Sequence, residues 1–442
     1  MTSNKRPRSD PRLFSFGTVQ GGTVAQACTR SLATYLSGMN GKTVLISGAG
    51  IAGPTLAFWL RAAGLQPTLV ERAPEPRTGG YVVDFWGLGY DIADRMGLIG
   101  DINRIGYHMR EMRIVDQTGK RLAGFGTGVF GELTNGRYVT LGRSDLSRLL
   151  IEKIKDTTEI IFNDEIVGLQ QQQDHVQVGF THAGERRFDL VIGADGLHSK
   201  VRSLAFGPQQ RFEKHLGYAV AAFEVRGYRP RDDDVYVMYG EPGRMLGRFT
   251  MRDDRTLFLF VFATGDEALP EAPELQKTML RNRYGAGKWE CSRILAELDR
   301  SPQLYFDRVS QIRMDRWSQG RVALVGDAAF CVSLLAGQGS ALAMISAYVL
   351  AGEIAKAGGR HEEAFGRYDA LLRAFINKKQ QGAERFASVF APATQWGLYL
   401  RNQVIRAFAI KGLARLIIGG DIVDTLRLPD YDWQLLHEFA AN

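Results

Sequence analysis

The sequence predicts an α/β fold: a Rossmann-like dinucleotide-binding domain, interrupted by an inserted antiparallel-sheet domain and closed by a C-terminal helix. Three observations carry this. Residues Lys42–Arg72 read as strand, glycine turn, helix, strand. Two later apolar strands, in Asp189–Arg202 and Gly320–Phe330, each end on an aspartate paired with a glycine. Between them, from Leu216 to Ala263, the pattern changes to consecutive strands separated by Gly, Asp and Pro turns.

The first stretch contains an apolar run, Val44–Ser47, a turn, Gly48-Ala49-Gly50-Ile51-Ala52-Gly53, a helix over Pro54–Ala63 and a second run, Thr68–Val70, ending at Glu71. Each residue type has a physical task in a dinucleotide fingerprint. Gly48 permits the tight turn. Gly50 lacks a Cβ, so a pyrophosphate can approach the backbone. Gly53 lets the helix pack close to the sheet. The helix start, Ile51 and Ala52 included, offers free N–H groups and a positive dipole end to a diphosphate. Glu71 lies 23 residues after Gly48, where an acid accepts hydrogen bonds from a ribose. A glycine-rich loop without a ligand would not need the flanking strands and the acid together.

Composition narrows the class. A chain of 442 residues suits two or three domains, or one with an insertion. No apolar run is long enough to span a membrane. The three cysteines, Cys28, Cys291 and Cys331, make no CxxC pair, and the seven histidines make no HxxxH pair. No disulfide framework and no metal site is expected, and a reducing cytoplasm is the expected setting. The net charge is +7, but much of it sits in residues 1–40, where Lys5, Arg6, Arg8, Arg12 and Arg30 face only Asp10. No aromatic-interleaved basic patch stands out, so nucleic acid is not an expected partner. Residues 1–40 lack periodicity and read as a disordered, dispensable tail, with a weak likeness to a transit peptide.

Further elements follow in order. After the Pro/Gly-rich loop 73–80 come a strand at Tyr81–Asp84, a helix at Leu88–Gly97, and strands at Met112–Asp116 and Tyr138–Leu141. Ser144 is the expected N-cap of a helix over Leu146–Ile154. Strands are expected at Glu159–Phe162, Ile166–Gln170, Val176–Phe180 and Asp189–Ala194. The antiparallel region has strands at 218–225, 235–239, 244–251 and 256–263, followed by a helix over Leu275–Leu298. A strand at Val322–Val325 precedes helices at Ser340–Ala357, Glu362–Phe375 and Gln395–Ile418. The last is amphipathic and basic; such a helix binds membranes or, more commonly, packs its apolar face on its own protein. The implied domains are 41–215 for the first part of the nucleotide domain, with a short substrate-domain insertion near 107–140. The antiparallel domain takes 216–304, the second part of the nucleotide domain 305–385, and a helix and tail 386–442.

The two aspartate motifs fix the cofactor class. In DLVIGADGLHSKVR a strand delivers Asp195-Gly196 to a turn, where ligands bind in open α/β sheets. In GRVALVGDAAF a strand ends at Gly326-Asp327, and Gly337-Gln338-Gly339 opens the next helix. Either aspartate alone would read as a turn cap. The three motifs, in this order and spacing from Lys42 to about Gln381, resemble the single-component flavoprotein monooxygenases of the para-hydroxybenzoate hydroxylase type. Within that family GPTLAFWL, DFWGLGYDIADRMGL, QIRMDRWSQGRVALVGDAAF and a closing LPDY are most similar to the tetracycline-inactivating branch.

The resemblance implies FAD as cofactor and NAD(P)H as co-substrate. Gly48, Gly50, Ile51, Ala52 and Gly53 would hold the pyrophosphate, Glu71 the adenosine ribose, and Arg72 the adenine side. Arg143, unless it is a solvated helix-start arginine, would reach the pyrophosphate or flavin. Asp195 and Gly196 would serve both FAD and NAD(P)H, Asp327 the ribityl chain, and Gly337, Gly339, Ser340 and Ala341 the isoalloxazine. No protein nucleophile or metal is implied. The implied reaction is hydroxylation of an aromatic or polycyclic, polyketide- or tetracycline-like molecule by O2 through a flavin C4a-hydroperoxide, with antibiotic modification as one outcome, in a monomer or homodimer. The family pattern is departed from at Phe330, where His or Tyr is common, at Val332 or Leu334, where proline is common, and at Ser340-Ala341, where Asn is common.

Only one full fingerprint is present, since Gly285-Ala286-Gly287 follows no strand. Two-fingerprint flavoenzymes are therefore disfavoured. An FAD oxidase or reductase, or a non-catalytic flavin-binding sensor, stays open as an alternative. The substrate pocket is expected between the FAD domain and the antiparallel sheet, with Phe223, Met238, Phe249, Phe260 and Phe330 as candidate lining and Arg248 as candidate anchor, although each is commonly plain core or, for the arginine, solvated.

Overall fold

The apolar runs of the sequence become neighbouring parallel strands. In the computed structural model, which describes residues 41–76, 79–301, 303–408, 424–431 and 433, one six-stranded sheet has the order Ser318–Gln319, Val322–Leu324, Leu190–Gly193, Thr43–Ser47, Gln66–Glu71, Glu159–Phe162. Its last five strands are parallel, and only Ser318–Gln319 runs antiparallel. Continuous apolar composition suits strands covered on both faces: Val44, Leu45, Ile46, Val191, Ile192, Val322 and Leu324 have no exposed surface. Helix Ala52–Ala62 packs beside helix Gly339–Lys356 on one face, with Trp59 edge-on to Tyr348 at 5.0 Å. Tyr368, from helix His361–Phe390, donates its hydroxyl proton to the carbonyl of Leu324. The tail 1–40 and the 409–418 portion of the expected last helix lie outside the described residues.

A two-stranded antiparallel sheet, Val82–Trp86 with Tyr138–Gly142, and a three-stranded meander over 166–188 flank the sheet. The second large sheet has seven strands in the order Tyr305–Ile312, Glu213–Arg226, Arg255–Ala263, Arg244–Thr250, Val235–Glu241, Glu111–Val115, Arg121–Gly126. All its pairings are antiparallel except that of Val235–Glu241 with Glu111–Val115.

Alternation along these strands separates two apolar layers. Phe223, Val237, Leu246, Phe258, Phe260 and Phe262 face helices Pro273–Tyr284 and Cys291–Ala296, where Leu280, Tyr284 and Ile294 close the layer. Val220, Met238, Phe249, Leu257 and Val261 face the opposite way, toward Tyr81, Val82, Tyr107, Leu334 and Leu335. This corrects three of the expected pocket residues. Phe223 and Phe260 stack on each other (5.8 Å) in the far layer, away from the nucleotide sheet. Arg248 points the same way. It is 3% exposed, sits over Trp289, and is bonded to both carboxylate oxygens of Glu290 (2.6 and 2.7 Å) and to Asp232. Its charge is already matched. Arg248 and Phe249 are adjacent in one strand and so cannot share a face. Phe330 is also core, packed on Trp317 at 4.7 Å.

Three local expectations shift. The helix expected to start near Leu146 begins at Arg143, so Ser144 lies within its first turn and Gly142 is the cap position. The Arg143 N–H donates to the carbonyl of Tyr81, so the strand passes directly into the helix. The helix over 275–298 breaks at Gly285–Gly287, where a Cβ on Gly287 would lie 2.7 Å from Cys291 Sγ, and resumes at Cys291. The helix expected over 362–375 runs on to Phe390, two residues before Pro392.

The segment 424–433 ties down the nucleotide part. Asp424 accepts from the N–H of Leu88 (3.0 Å) at the start of helix Gly87–Arg95 and pairs with Lys379 (2.9 Å). Tyr431 donates to Glu353 (2.7 Å) over Gly352, and Trp433 lies 4.7 Å from Trp59. Because Arg248 is a buried cation bonded to Glu290 and Asp232, the Arg248→Ala variant should lose about 3–5 kcal/mol of stability in chemical denaturation, as expected for a broken buried ion pair. Substrate affinity of the protein that remains folded should be unchanged.

Candidate functional site

In the six-stranded sheet the strand order reverses between Thr43–Ser47 and Leu190–Gly193, the switch point where a crevice opens at the strand ends. All three sequence motifs, and Glu71, lie at the carboxyl ends of four adjacent strands there.

The glycine turn divides into two kinds of position. A Cβ on Gly48 (φ +106°) would lie 2.6 Å from the carbonyl oxygen of Ala194, and one on Gly53 would lie 1.9 Å from that of Gly48. These two glycines are demanded by the fold. At Gly50 the nearest atom to an added Cβ is Arg143 Nη2, at 3.7 Å. That space is open and faces a guanidinium. Ile51 and Ala52 start helix Ala52–Ala62, whose N-terminus has no side-chain cap. Helix Gly339–Lys356 is likewise uncapped at Gln338. Free N–H groups at two helix starts, a guanidinium and a Cβ-free backbone are what a diphosphate and a flavin carbonyl require, so the residues present fit FAD.

The acids are held differently. Glu71 is buried and accepts from the backbone N–H groups of Ala49 (2.9 Å) and Ala73 (3.0 Å), which fastens the turn to the neighbouring strand. Arg72 beside it is exposed. Asp195 accepts from Ser199 Oγ (2.5 Å) and from the N–H groups of Lys200 (2.8 Å) and Val201 (3.1 Å), so its carboxylate orders the loop carrying Gly196. Burial pushes its pKa up. Asp327, after Gly326 (φ +58°), has Cys331 as its side-chain hydrogen-bond partner, and a Cβ on Gly339 would lie 3.8 Å from it. Burial raises its pKa, and the positive charge of Arg143 opposes the rise. The pKa of Arg143 is itself raised, chiefly by Tyr81 and then by Asp327. Arg202 is fully buried and donates to the carbonyls of Ala328 (2.9 Å) and Leu197 (2.7 Å), joining the two aspartate loops. Gly337 (φ +66°) ends the short turn before helix Gly339–Lys356. Ser340 is buried, and Ala341 fits closely against Gly89.

The sequence reading missed the contribution of the two-stranded sheet. Val83 and Phe85 face the core, while Val82 and Asp84 face the other way, toward the near layer of the seven-stranded sheet and Tyr236. One oxygen of Asp84 accepts from Tyr138 (2.7 Å) and Thr140 (2.5 Å). Its other oxygen, and the hydroxyls of Tyr81, Tyr236 and Tyr305, have no hydrogen-bond partner among the described residues. Burial raises the pKa of Asp84. Met238 and Phe249 belong to this same side. The signal was present in VVDFW: a single acid in a strand of otherwise apolar residues.

A doubly wound sheet gathering three glycine- and aspartate-bearing turns around one crevice defines an FAD-binding enzyme of the dinucleotide fold. The family described as "FAD binding domain" matches residues 42–381, and the chain belongs to it. The chain is 39% identical over 343 residues to an uncharacterized protein of Mycobacterium tuberculosis (77% of this chain, 92% of that one). It is 34% identical over 342 residues to a flavin-dependent monooxygenase of Legionella longbeachae (76% and 87%). The crystal structure of tetracycline destructase Tet(55) superimposes with a TM-score of 0.76 at 30% identity, covering 88% of this chain and 99% of that one. The protein is thus a flavin monooxygenase of the para-hydroxybenzoate hydroxylase type, near the tetracycline destructase branch.

Asp84 gives a test by pH. A carboxyl whose pKa is raised on folding contributes stability that is present below its unfolded value of about 3.9 and lost as pH rises through the folded value. The Asp84→Asn variant has no such dependence at this position. The difference in melting temperature, variant minus parent, should therefore grow as pH rises above about 4 in thermal scans of the apoprotein.

Proposed function

We propose that this protein is an NAD(P)H-consuming hydroxylase of aromatic or polycyclic small molecules, using FAD and O2. The observation that carries the reading is the juxtaposition of the open Gly50–Arg143 space with a tyrosine-lined face bearing Asp84. Gly48, Gly50, Ile51, Ala52 and Gly53 present backbone to the pyrophosphate, with Arg143 as its counter-charge. Glu71 and Arg72 lie on the adenosine side, Asp195 and Gly196 shape the loop between, and Asp327 accepts from the ribityl chain. Gly337, Gly339, Ser340 and Ala341 offer N–H groups to the ring. When bound, FAD supplies the redox chemistry, taking electrons from NAD(P)H and activating O2. The single glycine fingerprint supports NAD(P)H as a transient visitor.

The chain's own part is to orient and dry the substrate. Tyr81, Tyr236, Tyr305, Phe249 and Met238 offer a largely apolar wall of tilted rings, while the free oxygen of Asp84 accepts a proton donor on the ring. The tetracycline destructase likeness supports polycyclic substrates such as tetracyclines. No catalytic nucleophile is needed.

The test is NADPH oxidation in air by the flavin-loaded protein, with phenols and polycyclic polyketides, tetracyclines included. Stimulated oxidation with one atom from labelled O2 in the product is expected. Hydrogen peroxide with no oxygenated product would instead establish an oxidase. Bound FAD without turnover would establish a sensor. For the cofactor roles, the Gly50→Ala and Arg143→Met variants should each weaken FAD binding at least about tenfold, near 1.4 kcal/mol. For Gly50→Ala, the apoprotein melting temperature should not change; calorimetry measures both.

A further inference from the structure

The helix Gln395–Phe408 carries apolar side chains on both its buried and its exposed face. Leu398, Arg401 and Ile405 are buried against the protein, whose nearest strands there are Arg121–Gly126 and Val235–Glu241. Arg401 donates to the carbonyl of Phe390 (3.1 Å). The outer face carries Trp396 (73% exposed), Tyr399 (53%), Leu400 (58%) and Val404 (40%), at the i, i+3, i+4, i+8 spacing of one helical stripe. The Trp396 and Tyr399 rings stack at 5.3 Å. Large apolar side chains on the exposed stripe, beside a buried arginine, depart from the arrangement of an ordinary surface helix. The expectation that this helix buries an apolar face on its own protein therefore accounts for only one of its sides.

Charge identifies what suits the other side. From Arg385 to Gly420 the sequence has no acidic residue; of its basic ones Arg385 and Arg406 are exposed, Arg401 is buried, and Lys411 and Arg415 lie outside the described residues. A second copy of the chain would bring like charges together across the pair. An anionic lipid surface offers an apolar layer under negative headgroups, and Trp and Tyr favour the boundary between them. Among the described residues no helix is long and apolar enough to cross a membrane. We propose that the outer face of Gln395–Phe408 docks on an anionic lipid surface, with Trp396, Tyr399, Leu400 and Val404 at headgroup depth and the helix lying in the plane of the membrane.

The test is flotation of the full-length, flavin-loaded protein with vesicles of phosphatidylglycerol mixed with phosphatidylcholine, and with phosphatidylcholine alone. Binding to the anionic vesicles is expected, at least about tenfold above the neutral ones, weakened by salt and accompanied by a blue shift of tryptophan emission. The combined Trp396→Ser, Tyr399→Ser, Leu400→Ser variant should lose binding while keeping its flavin content and melting temperature, since these side chains are exposed. The Leu275→Ser variant, which alters an exposed leucine (58%) on another helix, should bind as the parent does. Protein that stays unbound with both vesicle types overturns the proposal, as does equal loss of binding in both variants. Concentration-dependent dimerisation abolished by the triple variant, without vesicle binding, would instead assign the face to a second copy.

Discussion

No side chain fits at residue 53. A Cβ there would stand 1.9 Å from the carbonyl oxygen of Gly48, and no rotamer relieves a clash between backbone atoms. That contact sets the approach of helix Ala52–Ala62 to the first strand. The helix in turn seats Gly339–Lys356, the element whose start adjoins the Asp327 turn. Close helix–strand packing at one glycine thus brings two uncapped helix ends into one crevice. Glu71 reinforces it from the neighbouring strand by holding the Ala49 N–H. The carboxylate expected to meet a ribose is first a structural tie within the turn.

Where periodicity was strong, the sequence was legible. Continuous apolar runs became the buried parallel strands within a residue or two, because such runs satisfy a sheet covered on both faces and little else. The three turns were legible because glycine and aspartate at strand ends answer to backbone constraints that are local. Side-chain direction in the antiparallel sheet was not. Phe223, Arg248 and Phe260 differ from Met238 and Phe249 only in parity, and composition is equally aromatic on both faces because helices Pro273–Tyr284 and Cys291–Ala296 bury the far one. The adjacency of Arg248 and Phe249 contained the answer, but only with one face assigned. Asp84 was overlooked for the opposite reason: its significance depends on Tyr138, Thr140 and Tyr236, more than fifty residues away in sequence.

The aspartate loops show how structural and ligand-facing duties are shared. Asp195 gives its oxygens to Ser199, Lys200 and Val201, and Arg202 carries the order onward to the Asp327 loop through Ala328. Asp327 has no comparable set of donors and stands beside Arg143, raised by burial. One loop is built by its aspartate; the other leaves its aspartate available.

The closing segment has a consequence for the life of the chain. The sheet's centre joins residues 43–47 to 190–193 and 322–324, and Asp424 and Tyr431 then fasten helices Gly87–Arg95 and Gly339–Lys356 from the far end of the sequence. Residues as far as Tyr431 must have left the ribosome before this assembly can close. The nucleotide sheet therefore depends on pairings of high sequence separation, while the local hairpins of the seven-stranded sheet can form from neighbouring segments.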